Sequence, residues 1–177
     1  MIEEENRVYL DEAGSNLAMT PNSSWSPKNE RAYDKKPACR GSNLSMIGAI
    51  KSTGMKALYS YDGAVDSNKF VDFVENNLLK ELKDGDVLIM DNSAVHHSGI
   101  VRNCLNKHGI RVLYLPPYSP ELNPIEEAWS VIKNKLRHEK SRTLSAYVNS
   151  LEKAKNCITV EKIAGFFKHA EAFQNLC

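Results

Sequence analysis

The sequence predicts an α/β fold built on a mixed five-stranded sheet, three antiparallel strands then two parallel ones, with helices on both faces and extra C-terminal helices. Three observations predict it. Three strand-like segments precede any helical periodicity, the pattern then alternates helix, strand, helix, strand, and the fourth strand, Val87 to Met90, is a continuous apolar run typical of a strand covered on both faces. The length of 177 residues, 42% of them hydrophobic, fits one packed core and excludes disorder as the main theme.

Taken in order, Val8 to Leu10 forms a short apolar run that ends at Asp11, before Gly14. Residues 15 to 41 are rich in Pro, Ser, Asn and Lys without periodicity and read as a long irregular arm. Residues 44–50 and 55–61 flank Lys51-Ser52-Thr53-Gly54, a connection short enough for a hairpin. From Asp66 the period changes, because Phe70, Phe73, Val74, Leu78 and Leu82 recur at helical spacing up to Asp84-Gly85-Asp86. After the fourth strand, a helix over Gly99 to Lys107 stops at His108-Gly109 and leads to the fifth strand, Ile110 to Leu115. Pro116 and Pro117 cannot donate to a β ladder and end that strand. Asn123 suits an N-cap and Pro124 the first helical position. Ile125, Trp129, Ile132 and Leu136 then form a core stripe. Two further amphipathic helices begin after Thr143 and Thr159, with Leu144, Tyr147, Val148 and Leu151, then Ile163, Phe166, Phe167, Ala170 and Phe173, as apolar positions.

No apolar run is long enough to span a bilayer, and Met1-Ile2-Glu3-Glu4-Glu5 lacks a signal-peptide plan, so a cytosolic chain is expected. Cys39, Cys104, Cys157 and Cys177 contain no CxxC pair, and reduced thiols are expected. A net charge of +1 argues against a wholly basic surface but permits a local basic stripe.

Asp11 and Asp91 each close an apolar strand, a position where sites are built and where Asx turns are also common. Glu126 falls three residues after Asn123, so its carboxylate either completes a capping box or serves a site. Glu126, Ser130, Lys133 and Arg137 share one stripe of that helix. Such a layout suits a carboxylate that holds a metal while the cations follow a phosphate backbone; a solvated face is the alternative reading.

On "LDEAG" at 10–14, "WSPK" at 25–28, "IGAI" at 47–50, "DNSAVH" at 91–96 and "LPPYSPELNPIEEAWSVIK" at 115–133, the chain resembles the catalytic domain of DDE transposases of the mariner superfamily, in its bacterial insertion-sequence branch. The 34 residues between Asp91 and Glu126 match the separation familiar in that superfamily. The resemblance implies an RNase H-like fold over residues 1–142 with a C-terminal helical extension, 143–177, packed on it. It implies Asp11, Asp91 and Glu126 as catalytic carboxylates and metal ligands, with Glu127 the weaker candidate for the third. Magnesium or manganese is the expected cofactor, two ions about 4 Å apart, for hydrolysis and transesterification of DNA phosphodiesters. Expected partners are double-stranded DNA (transposon ends and target), a second copy in a homodimer on DNA, and a separate helix-turn-helix chain, because only ten residues precede Asp11 where relatives carry such modules. The expected location is the bacterial cytoplasm, on DNA.

Glu12, Asn92, His96, Trp25, Lys28, Lys133 and Arg137 are supporting or DNA-contact candidates. Asn92 is expected to orient Asp91, and His96 to touch DNA or support the carboxylates. His96-His97 is a poor chelate because adjacent side chains diverge. Trp25 is read either as a base-stacking group or as an anchor docked on the domain, and Trp129 as core. Lys35, Lys36, Arg40 and the basic positions from Lys133 to Arg142 are candidate phosphate contacts. No GxSxG or GxxxxGK[ST] motif points to a protein nucleophile or a nucleotide. Two alternatives remain: a truncated fragment acting as a DNA-binding or dimerising inhibitor, and a nuclease that hydrolyses without joining.

Overall fold

The computed structural model describes residues 2–174. Its strands are β1 (Arg7–Asn16), β2 (Asn43–Lys51), β3 (Gly54–Asp62), β4 (Val87–Met90) and β5 (Arg111–Tyr114). They form one sheet in the order β3-β2-β1-β4-β5. The β1·β2 and β2·β3 pairs are antiparallel, and β1·β4 and β4·β5 are parallel, as the strand-then-alternation pattern predicts.

Strand alternation divides the core into two layers. On one face Val8, Leu10, Ile47, Ala49, Leu88 and Met90 pack against α1 (Ser67–Phe73) and α2 (Gly99–Lys107). On the other, Tyr9, Ala13, Met46, Ile50 and Ile89 pack against α3 (Ile125–Glu139), α4 (Leu144–Asn156) and α5 (Val160–Gln174). Tyr9 meets Phe167 of α5 edge-on at 5.4 Å.

Local chemistry explains most boundaries. Asp66 caps α1 by accepting from the backbone N–H groups of Asn68 and Lys69, and the helix then widens to a π turn over Val74–Leu78. Ser98 caps α2 through Val101, and Gly109 follows it at φ +65°, in the left-handed region that glycine adopts freely. Thr143 caps α4 through Ala146.

Four expectations need correction. β1 does not end at Leu10: its ladder with β2 runs on to Asn16, so Asp11 sits inside the strand. Asn123 does not cap α3 through its side chain; Pro124 holds the cap position and only the Asn123 backbone carbonyl accepts, from the Glu126 N–H at 3.1 Å. Leu144 and Val148 are exposed on α4, whose inward face is Tyr147, Ser150, Leu151 and Ala154. Trp25 is not docked on the domain but wholly exposed in the arm. Cys39, Cys104 and Cys157 are free thiols, and Cys177 lies outside the described residues. Among the described residues no helix is long and apolar enough to cross a membrane.

Lys51 at the end of β2 and Asp86 just before β4 make a buried ion pair of 2.7 Å, and Asp86 also accepts from the Lys83 N–H at 2.9 Å. Removing one partner leaves a buried charge uncompensated. Lys51→Met is expected to destabilise the domain by about 3–5 kcal/mol in urea unfolding, and Lys51→Met with Asp86→Leu to recover much of that loss.

Candidate active site: a carboxylate cleft at the split of the sheet

β1 and β4 run side by side through Arg7↔Val87, Val8↔Leu88 and Tyr9↔Ile89, after which their pairing stops while β1 stays paired to β2. Continued by two residues, the same register sets Asp11 beside Asp91, on the face of the sheet that carries Tyr9 and Ile89. The sheet therefore opens at the point where two carboxylates meet. Leu115 still donates to the Met90 carbonyl at 2.9 Å, and the chain then turns through Pro116, Pro117 and Pro120 to start α3. Glu126, in the first turn of α3, completes a cleft of about 470 Å³ lined by Asp11, Asp91, Asn92, Leu115, Tyr118, Asn123 and Glu126 among others. Tyr118 lies fully exposed on its lip with φ +56°, an uncommon conformation for a residue other than glycine.

The three carboxylates have different surroundings. Asp11 is 9% exposed and accepts a hydrogen bond from the Trp129 indole Nε1 at 3.1 Å. Burial pushes its carboxyl up to about 7; the charge of Glu126 adds to this, while bonds from the Glu12 backbone and the Trp129 indole oppose it. Asp91 is exposed; its Oδ1 accepts from the Ser93 N–H at 3.1 Å and lies 2.9 Å from His96 Nδ1 as an ion-pair contact. Asp91 thus forms an Asx turn and faces the cleft at once; the two readings do not compete.

His96 is fully buried and lies against the Phe70 ring at 4.8 Å. Its Nε2 meets Glu12 Oε1 at 3.0 Å, and its Nδ1 also reaches the Asp91 carbonyl at 3.1 Å. Every acceptor here is an oxygen that only accepts, so the ring satisfies both sides only with both nitrogens protonated. Burial works against that charge, but Glu12 and Asp91 outweigh it and hold the His96 pKa above its usual value. Because successive β1 residues point to opposite faces, Asp11 enters the cleft while Glu12, behind the sheet, braces the histidine that contacts Asp91.

The remaining candidates divide clearly. Asn92 lines the cleft but pairs with His97 Nε2, so Ser93 and His96 hold Asp91 in its place. Glu127 pairs with His169 of α5 and is not among the residues that line the cleft. Lys133 and Arg137 line a second groove with Lys36, Arg40, Ser15 and Asn16, further along the same strand and helix that carry Asp11 and Glu126. Lys28 is exposed in the arm and lines neither groove. Trp25 borders a surface depression with Arg137 and His138. Lys135, Lys140 and Arg142 are poor phosphate candidates because they are engaged: with Glu139 at 2.8 Å, with Asp34 at 2.5 Å, and with the Leu17 and Met19 carbonyls at 3.0 Å each.

Two residues of the site have a second role that spacing alone does not show. Trp129 has the spacing of a core residue, and its position one turn after Glu126 is the signal for its second role. Asn123 has the composition of a cap, yet its buried Oδ1 has no hydrogen-bond partner. Together the residues fit a hard divalent cation: three carboxylates line the cleft, burial and the Glu126 charge disfavour the ionised form of Asp11 without a counter-ion, and Asn123 offers an unpaired oxygen nearby.

A family model described as DDE superfamily endonuclease matches residues 6–147. The chain is 28% identical over 167 residues to the transposable element Tc1 transposase of Caenorhabditis elegans, covering 88% of this chain and 61% of that protein. It is 27% identical over 160 residues to the Tcb1 transposase of Caenorhabditis briggsae, covering 84% and 58%. The chain thus spans about three fifths of the length of these curated relatives. Among solved structures, a Mos1 transposase paired-end complex with left transposon end superposes with a TM-score of 0.78 at 16% identity, over 97% of this chain and 54% of that one. The catalytic domain of Mos1 mariner transposase superposes at 0.68 and 17% identity, over 96% and 79%. The shared fold is RNase H-like.

The buried Asp11 carries a sign that can be tested. Its folded pKa, about 7, lies above the ordinary 3.8, so its contribution to stability is complete below about pH 4 and is lost as pH rises through 7. In metal-free protein, Asp11→Asn is expected to raise the melting temperature at pH 8, with the gain shrinking towards pH 4. Magnesium is expected to stabilise the wild type at pH 8 and not this variant, which differential scanning fluorimetry measures.

Proposed function

The chain belongs to the DDE superfamily endonucleases, and from that premise we propose that it is the catalytic part of a transposase that cuts and joins DNA strands at transposon ends, with Asp11, Asp91 and Glu126 as its catalytic carboxylates. The observation that carries the proposal is the convergence of these three side chains on one cleft from β1, the end of β4 and the start of α3. Related transposases have been solved with Mn and with Mg, in paired-end complexes of Mos1.

In this reading Asp11, Asp91 and Glu126 hold two divalent ions. When bound, such ions supply Lewis-acid stabilisation to the attacking and leaving oxygens of an in-line phosphoryl displacement. The chain's own residues supply position. His96, braced by Glu12, fixes Asp91. Lys36, Arg40, Lys133 and Arg137 line the groove beyond the carboxylates and offer the phosphate backbone a cationic track. Water serves as nucleophile for cleavage and a freed DNA 3′-hydroxyl for joining, so no protein nucleophile is required.

The finer assignments rest on the sequence motifs. We assign residues 1–142 to the catalytic unit and 143–177 to its helical extension, and place the protein in the bacterial insertion-sequence branch, on DNA in the cytoplasm. A homodimer on paired transposon ends and a helix-turn-helix DNA-binding chain are its expected partners. Retention of all three carboxylates in one cleft favours catalysis over a purely inhibitory role.

Asp91→Asn is expected to reduce magnesium-dependent cleavage and strand transfer on a transposon-end duplex by on the order of 10³-fold. Because Asp91 is exposed, its circular dichroism and melting temperature should stay near wild type. Undiminished activity would overturn the assignment; cleavage without joined products in the wild type would favour a nuclease.

A further inference from the structure

The first candidate carboxylate is held by a side chain that the family reading gives no role. We propose that Trp129 is a positioning residue for Asp11, and that Gly48 is the opening that lets it reach. The proposal rests on the reading of Asp11, Asp91 and Glu126 as cation ligands.

Trp129 Nε1 donates to Asp11 Oδ2 at 3.1 Å, in a bond buried from solvent. The indole is 2% exposed, and its neighbours Ile125, Ala128 and Ile132 on α3 are fully buried, so the donor is fixed by packing. Glu126 lies three residues earlier, on the adjoining surface of the same helical turn. One rigid turn therefore carries the third carboxylate and grips the first, and the relation between them is set by the helix backbone. Asp11 itself belongs to a different element, β1, where its carboxylate also takes a bond from the Glu12 backbone; the indole is the side chain that orients it.

A neutral donor has a particular advantage here. A lysine or arginine at the same place would also orient Asp11, but its charge would compete with a divalent cation for that carboxylate. The indole N–H orients without neutralising.

Gly48 shows how closely the indole is fitted. In the antiparallel ladder Gly48 lies directly opposite Asp11. A Cβ at that position would stand 2.7 Å from Trp129 Cη2 and 3.3 Å from Cζ2, so a larger residue cannot be accommodated unless the packed ring or the strand shifts. Two substitutions on different elements thus act on one hydrogen bond.

The test uses the full chain in a Trp25→Phe background, where Trp129 is the sole indole, and measures Mn²⁺ binding by electron paramagnetic resonance of the free ion. Trp129→Phe keeps the ring in the core and removes the donor; it is expected to weaken Mn²⁺ binding about 10-fold or more. Gly48→Ala is expected to act in the same direction, and the Mn²⁺ concentration for half-maximal cleavage to rise while the rate at saturating Mn²⁺ largely recovers. An unchanged Mn²⁺ affinity in folded Trp129→Phe overturns the proposal. Should that variant fail to fold, the indole ¹H–¹⁵N resonance of the Trp25→Phe protein decides. It is expected to be protected from solvent exchange and to shift on Mg²⁺ addition, and an indole signal indifferent to Mg²⁺ overturns the proposal. Asp91→Asn separates the two levels: loss of Mn²⁺ binding there with full binding in Trp129→Phe refutes the positioning role alone, whereas full binding in Asp91→Asn refutes the cation reading on which it rests.

Discussion

The parallel register between β1 and β4 is the constraint on which the rest of the site depends. Residues 7–9 pair with 87–89, an offset that brings Asp11 alongside Asp91 on one face of the sheet. A slip of one residue would turn one of the two aspartates to the opposite face, because side chains alternate along a strand. The apolar core guards against that slip. Val8, Leu10, Leu88 and Met90 fill one layer and Tyr9, Ala13 and Ile89 the other, so the pattern that packs both faces also fixes the carboxylates.

Placing acids together has an electrostatic cost, and the protein meets it differently at each position. Asp11 lies in the core, where burial and the charge of Glu126 both favour its neutral form. Asp91 keeps its access to water and gains a buried histidine. Glu126 stands exposed to water in the first turn of α3. A cation bound among them removes the conflict that their proximity creates. His96 and Trp129 approach from opposite faces of the sheet, so each aspartate has an orienting partner on a different rigid layer.

Much of this was legible from residue order. The five strands, their division into three and two, the helices on Gly99–Lys107 and after Pro124, and the Ile125-Trp129-Ile132-Leu136 stripe all follow from periodicity and proline placement. Boundaries and partners were less legible. β1 runs five residues past Asp11 because pairing with β2 outweighs the local turn signals of Asp11 and Gly14. Asn123 has the composition of a cap, but the proline-rich loop brings its side chain into the site. Lys140 and Arg142 read as free cations until the arm folds back and supplies Asp34 and two carbonyls.

By itself, then, the sequence determined the alternation of elements, the core faces, and the motifs carrying Asp11, Asp91 and Glu126, since periodicity, prolines and short motifs are local properties. Only the tertiary structure decided which groups hold those carboxylates. The Glu12–His96–Asp91 chain joins residues 84 positions apart at its Glu12–His96 contact, and Trp129 reaches Asp11 across 118. Such contacts depend on register and on the way α3 lies over the sheet, and neither is written in any one stretch of chain. A tryptophan with core spacing looks the same in the sequence whether its indole N–H meets a carboxylate or not; Gly48, opposite Asp11, makes room for the ring that does.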